Sequence, residues 1–413
     1  MRDHFEERTG KKIILKHISN IVNKVNKTKK TDNLEKLVQK LKVTGSEVEI
    51  FHDGDSNLQA LFYQDAEMQR VFATFPEIIF VDATYKLNDR RMPFYVMMVE
   101  DSLGQSEVAA IALVNSEERA VLQQLIHCFK ENNQAAGKTK VIMADKDINE
   151  RDVFKSELPN AMLLICQFHV LRSFNREITT EKMGISSAQR HTALELLQKL
   201  VYCNSETDYE ASLEEVKRKC SRQINEYIIN NWHEIRHEWV FGLKLCDGSL
   251  MNTTNNRLES FNQKLKQVIN LYSCLEVFFE KFLSLINTVR NERDHKGSVE
   301  VMKVSVRTAC LNSESAEVKY LNHLTGYACK FVLQQLSKAK QITNLNGTST
   351  DSRLMDDEIE LCTESCNCNV NKSMGLPCKH IFKLYIISWT FLQILLDLTT
   401  YVLNKPGSYL EFF

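Results

Sequence analysis

Between residues 76 and 165 five short apolar runs alternate with polar and helical stretches, an order that leaves few folds open. Glu77 to Tyr85 (EIIFVDATY) is apolar and β-branched and ends in polar residues, the pattern of a buried strand. Pro93 to Glu100 reads as a second strand, Asp101-Ser102-Leu103-Gly104 as a turn with glycine last, and Val108 to Val114 as a third strand. Ser116 to Asn132 is predicted as an amphipathic helix capped by Ser116, with Val121, Leu122, Leu125, Ile126 and Phe129 on one face. Lys140 to Ala144 forms a fourth strand, followed by Asp145. After a short helix from about Glu150 to Glu157, Ala161 to Cys166 forms a fifth. Three meandering strands, then helix, strand, helix, strand, is an α/β order with a mixed sheet.

Two acids sit where these buried runs meet solvent: Asp82 after Ile78-Ile79-Phe80-Val81, and Asp145 after Val141-Ile142-Met143-Ala144. Ligands bind at that rim of an open α/β sheet. If the two strands are neighbours, the carboxylates converge within reach of one divalent cation, and their hard oxygens suit Mg2+ or Mn2+. Glu259 is the candidate third carboxylate. Its competing reading is a capping box, Asn256-Arg257-Leu258-Glu259, in which the glutamate bonds back to the cap. Cys166 and His169 supply two ligands rather than four, so a packed thiol beside a hydrogen-bonded histidine is the expected reading. Arg172 and Arg176, one helical turn apart, could reach phosphate, but a solvated face is the simpler expectation.

From about Phe168 to Phe241 the pattern is helical, with Leu194, Leu197, Val201, Tyr227, Ile228, Trp232 and Ile235 marking apolar stripes. The chain pauses at Asn252-Thr253-Thr254-Asn255-Asn256 before a long helix. Residues 339–360 are poor in large apolar groups and read as a linker. Beyond it stand Cys366-Asn367-Cys368 and, after Gly375-Leu376-Pro377, Cys378-Lys379-His380. Three thiols and an imidazole match the closed tetrahedral set of a structural Zn2+, and Cys362 is a fifth candidate nearby.

The quartet resembles a SWIM-type zinc finger, Cys-x-Cys-x(n)-Cys-x-His. Upstream, Val81-Asp82-Ala83-Thr84-Tyr85-Lys86, Ala144-Asp145-Lys146-Asp147, Cys166-Gln167-Phe168-His169 and Thr254-Asn255-Asn256-Arg257-Leu258-Glu259-Ser260-Phe261-Asn262 follow in order. Together they resemble a Mutator-like (MULE) transposase domain of RNase H-like fold, joined to a finger as in the SWIM zinc-finger proteins with a transposase-derived core. The resemblance covers roughly residues 45–385. It implies that Asp82, Asp145 and Glu259 form a DDE site using Mg2+ or Mn2+ for strand cleavage and transfer. The 114 residues from Asp145 to Glu259 resemble transposases whose last carboxylate follows an all-helical insertion. The expected fold is thus an RNase H-like mixed α/β sheet with a helical insertion, followed by a small finger.

The corresponding domain plan is a basic helical segment over residues 1–45 and an RNase H-like domain over 46–300, with its insertion at about 168–250. A helical region over 301–338, a linker over 339–360, a finger over 361–385 and an apolar tail over 386–413 complete it. Residues 11–30 hold seven lysines and no acid, with Ile14, Ile18, Ile21 and Val25 at helical spacing. With 52 basic and 53 acidic residues overall, nucleic-acid contact must come from local patches. The twelve cysteines lack the spacing of a disulfide scaffold, and the charged N-terminus does not read as a signal peptide, so a reducing compartment, nucleus or cytoplasm, is expected. The apolar stretch from Ile386 to Leu403 carries Asp397, which costs roughly 2.5–3.5 kcal/mol near a bilayer centre; a docked helix is expected there rather than a membrane span. No DNA-reading module is legible before residue 45, which favours a domesticated core acting by nucleic-acid or protein binding. An active DDE transposase or nuclease and a protein-only scaffold are the alternatives, and none of the three takes a small-molecule substrate.

Overall fold

A computed structural model describes residues 34–146, 148–309, 324–345 and 366–388. The basic segment before residue 34, residues 346–360 of the expected linker, Cys362 and the apolar stretch from 389 lie outside the described residues. Seven strands form one sheet: β1 (Glu47–His52), β2 (Leu58–Gln64), β3 (Ile78–Thr84), β4 (Phe94–Glu100), β5 (Ser106–Val114), β6 (Val141–Ala144) and β7 (Met162–Ile165). Their order across the sheet is β1-β2-β5-β4-β3-β6-β7. The first five are antiparallel, whereas β6 and β7 join parallel to β3. Parallel pairing needs a crossover; before β6 and β7 come the helices α3 (Arg119–Glu131) and α4 (Ile148–Glu157).

β1 and β2 extend the sheet beyond the five strands the apolar pattern predicts. In β1 the signal is a period of two, with Glu47 and Glu49 exposed and Val48 buried. In β2 it is obscured, because a strand covered on both faces reads as a continuous apolar run. The start of α3 also differs. Ser116 is not its N-cap, and the helix begins at Arg119 after Glu118. The preceding residue, Glu117, accepts hydrogen bonds from Tyr85 Oη (2.8 Å) and Tyr95 Oη (2.9 Å), which holds this segment against the sheet.

Alternation along the strands builds two cores. Ile78, Phe80, Phe94, Val96, Val141 and Met143 face one side, where α1 (residues 34–43), α11 (Asn256–Val268), α12 (Leu275–Ala309) and α13 (Gly326–Leu345) pack. Phe278 and Phe282 of α12 meet Phe94 edge-on at 5.0 and 5.6 Å. On the other side Ile79, Val81, Tyr95 and Met97 pack against α2 (Ala66–Thr74), α3 and α4. The turn after β4 is tightly enclosed: Gly104 has φ +70°, and a Cβ there would lie 2.7 Å from the Tyr327 ring of α13, so glycine is required twice over.

Between β7 and α11 stands an all-helical insertion running from α5 (Gln167–Glu177) to α10 (Phe241–Lys244), with α6 (Thr180–Met183), α7 (Ser187–Val201), α8 (Glu206–Lys219) and α9 (Arg222–Ile228) between them. It has its own core around Phe174, Tyr209, Trp232 and Trp239. It is tethered beside Asp145 by Lys146, whose Nζ lies 3.8 Å from the Trp232 ring centre and donates to Asn231 O at 2.6 Å.

Two expected boundaries move. A single helix, α12, runs across residue 300, and α13 continues to Leu345 rather than yielding to a linker at 339. Val332, Leu336 and Ala339 are buried, which keeps that segment helical and docked. The finger is not a separate bead either. Cys366, Met374, Leu376, Cys378, Ile381 and Phe382 belong to the same buried cluster as the sheet and α12. No helix among the described residues is long and apolar enough to cross a membrane.

Candidate acid cleft and metal-ligand quartet

Strand register brings the first two acids together. β3 and β6 pair Ile78 with Val141 and Phe80 with Met143, so continuing the register by two residues sets Asp82 beside Asp145. Both acids are in phase with the residues that face α11, because side chains alternate. Glu259 lies in the first turn of α11. The expected capping box does not form: the N-cap is Asn255, no side chain caps the helix, and Glu259 Oε1 lies 3.8 Å from His169 Nε2 instead.

The positioning of that turn is dense in hydrogen bonds. Thr253 O accepts from Gln167 N (3.0 Å) and from Lys244 Nζ (2.8 Å), which also donates to Ile165 O (3.1 Å). Asn255 N donates to Cys166 Sγ at 3.1 Å and Asn255 Nδ2 to Val81 O at 3.3 Å. These bonds sew the start of α11 to the ends of β3 and β7. Glu100, buried at the end of β4, adds an ion pair to Arg257 at 3.2 Å. Cys166 and His169 therefore have a structural explanation: the thiol accepts a backbone N–H and the imidazole stands against Glu259.

Asp82, Asp145 and Glu259 line one cleft of about 780 Å3, together with Tyr85, Lys86, Glu117, Glu150, Phe168, His169, Arg172, Asn262 and Lys266 among others. Burial raises the Asp82 carboxyl to about 6, with His169 opposing the rise. For His169 burial alone acts downward. Cys166, then Asp145 and Asp82, outweigh it and hold the imidazole at about 9. Asn262 Nδ2 donates to Asp82 Oδ2 at 2.9 Å. Asn262 closes the block of residues 254–262 without being singled out there as a site residue, although it stands three residues after Glu259 and so shares its helical face.

Three buried polar atoms in this cleft, Glu259 Oε1, Asn262 Oδ1 and His169 Nδ1, have no hydrogen-bond partner among the described residues. Such atoms are costly to leave unmatched. Asp82, Asp145 and Glu259 share the cleft but do not draw together as a mutually close ligand group among the described residues. A slightly larger hollow of about 870 Å3, between α7 and α8, is also lined by three acids, Asp208, Glu214 and Glu215, but Glu215 pairs with Lys199 at 2.8 Å and Glu214 with Lys217 at 2.7 Å.

Of the described residues, Cys366, Cys368, Cys378 and His380 do form such a group, with ligand atoms all within 4.8 Å of one another. Cys366 Sγ and Cys378 Sγ lie 3.6 and 3.7 Å from His380 Nδ1. Tetrahedral Zn2+ with ordinary Zn–S and Zn–N bonds requires S···N separations of about 3.5 Å, so the donors fit the ion. Crowding of the thiols lowers Cys368 to about 3, chiefly through its hydrogen bond with Cys378. Buried Asn371 shapes the loop: its Oδ1 accepts from Cys366 N (2.8 Å) and its Nδ2 donates to Leu376 O (2.9 Å). Gly375, at φ +65°, ends α14 (Asn369–Met374) and returns the chain towards Cys378 and α15 (Lys379–Ser388).

Comparison with known proteins agrees with this architecture. Residues 38–164 match the family described as "Zinc finger SWIM domain-containing protein 1/3, RNaseH-like domain", a span holding Asp82 and Asp145 but not Glu259 or the quartet. Protein FAR1-RELATED SEQUENCE 2 of Arabidopsis thaliana is 20% identical over 357 residues, covering 79% of this chain and 41% of the relative. The chain thus spans less than half the length of that curated relative. Both findings support a SWIM-type protein with a Mutator-like, transposase-derived core.

Proposed function

We propose that this chain is a zinc-stabilised nucleic-acid-binding protein, with a domesticated transposase core whose acid cleft receives a strand. One observation carries the reading. Lys86, Arg172 and Lys266 line the cleft beside Asp82, Asp145 and Glu259, and none of the three cations has an ion-pair partner among the described residues. Arg176, by contrast, pairs with Glu177 at 3.1 Å. Unpaired cations flanking a groove suit phosphates, which position a strand without reading its sequence. Such work implies a nuclear location. The test is fluorescence anisotropy of labelled DNA across a salt series. Arg172→Ala and Lys266→Ala should each reduce the salt slope by about 0.7–0.9. A parent protein whose binding is absent or independent of salt would overturn the reading and leave a protein-only scaffold.

The unmatched Glu259 Oε1 and Asn262 Oδ1 favour a second reading, metal-dependent strand cleavage. Asp82, Asp145 and Glu259 would hold Mg2+ or Mn2+, and such an ion would supply Lewis-acid stabilisation of a phosphoryl group. Asn262 orients Asp82, and His169 opposes Glu259 from α5. Asp82→Asn, Asp145→Asn and Glu259→Gln should each remove Mn2+ binding measured by titration calorimetry. Cleavage that appears with Mn2+ and vanishes in all three variants favours this second reading; Mn2+ binding without cleavage favours the domesticated one.

A further inference from the structure

Two large aromatic side chains stand exposed in the same cleft. Phe168 is 45% exposed at the start of α5 and Tyr85 is 50% exposed just after β3, and both line the wall that holds the acids. Neither ring belongs to the buried cores on the two faces of the sheet or in the insertion. Neither ring is loose. The Tyr85 hydroxyl is tied to Glu117 at 2.8 Å, and Phe168 meets the His169 ring edge-on at 5.6 Å. Phe168 also lies one residue from Gln167, whose backbone N–H is bonded to Thr253. Each aromatic face is thus presented at low entropic cost beside Arg172, Lys266 and Lys86, which have no ion-pair partner among the described residues.

Rigid exposed rings interleaved with free cations make a platform for unstacked bases. A base inside a duplex has no free face to offer. We propose that the cleft selects a single-stranded nucleic-acid segment, with a base stacked on Phe168, a second on Tyr85, and the adjoining phosphates held by Arg172 and Lys266. This rests on the nucleic-acid reading of the cleft and adds the strand state of the ligand. DNA and RNA share the stacking chemistry, and the 2′-hydroxyl distinguishes them.

The experiment measures anisotropy with four fluorescein-labelled probes in calcium buffer, using the full chain: oligothymidine, oligouridine, a DNA duplex, and an abasic deoxyribose-phosphate strand. The parent should prefer single strand to duplex. Phe168→Ala and Tyr85→Ala should each weaken single-strand binding roughly 5- to 100-fold, with duplex and abasic strand unchanged. Phe168→Trp should restore the loss. Oligothymidine bound more tightly than oligouridine identifies a DNA platform, and the reverse order an RNA platform; either supports stacking. If both alanine variants bind every probe as the parent does, stacking is overturned while the cleft reading stands. If an alanine variant loses affinity equally for the abasic strand, the ring acts on the backbone and the proposal is also overturned. A parent that binds no probe overturns the cleft reading and this proposal together.

Discussion

At the residue scale, Lys244 shows how burial turns a charge into a structural device. It is fully buried, and its Nζ spans the end of β7 and the segment before α11. Burial lowers it to about 7. The unfolded chain keeps its lysine protonated up to about 10.4. Between those values the unfolded state binds more protons than the folded one, so stability rises with pH across that window and the gain is complete above it. Urea midpoints from pH 6 to 10 should rise in the parent relative to Lys244→Met. The variant should also be weaker at pH 9 by about 1–3 kcal/mol, because buried carbonyls lose their donor. Parallel pH profiles would refute the assignment. Glu259 is the companion case: Glu259→Ala should leave stability almost unchanged, since the side chain caps nothing. A drop of about 1 kcal/mol, the usual effect of a lost cap, would reinstate the capping role.

At the element scale, the finger is held both by its own ligands and by its neighbours. Ser373 Oγ lies 2.8 Å from Ser249 Oγ and accepts from Met251 N at 2.7 Å, while Lys379 N donates to Gln335 Oε1 of α13 at 3.2 Å. Leu250 and Met251 both have positive φ, 50° and 59°, an uncommon conformation for residues with side chains. Ser373→Ala should therefore destabilise the fold by about 1–3 kcal/mol, the usual cost of an unmatched buried donor, measurable by urea unfolding. Metal analysis should find one zinc per chain in the parent and little in Cys378→Ala. Chelation should raise hydrogen exchange in α14, α15 and the 249–251 segment together, because they share one buried cluster. Exchange confined to α14 would mean the finger is docked more loosely than its contacts imply.

At the scale of the whole molecule, α12 acts as a strap across the sheet. Arg290 makes a two-pronged pair with Asp65 at 2.7 and 2.9 Å, and Arg293 reaches Glu67 and Glu107, each at 3.1 Å. These groups are mostly buried, so Arg290→Ala should cost about 3 kcal/mol, and a double cycle with Asp65→Ala should recover a coupling energy above 1 kcal/mol. Additive losses would show that the pair is solvated.

What the sequence alone determined were the features written in local spacing. The five strands from Ile78 to Ile165, the helical insertion, the three acids as candidates, and the Cys366, Cys368, Cys378 and His380 set were all legible, because apolar periodicity and ligand spacing need only near neighbours in the chain. Tertiary structure decided the rest. That Asp82 and Asp145 are partners depends on β6 pairing parallel to β3, outside the antiparallel meander. That Glu259 faces His169 rather than its own cap depends on bonds from Asn255 to Cys166 and Val81, residues 89 and 174 positions away. The fusion of the finger to the sheet's core likewise rests on contacts between segments more than a hundred residues apart. Spacing along a chain records which groups are available; only the closure of long loops, stabilised by burial on both faces of the sheet, determines which of them meet.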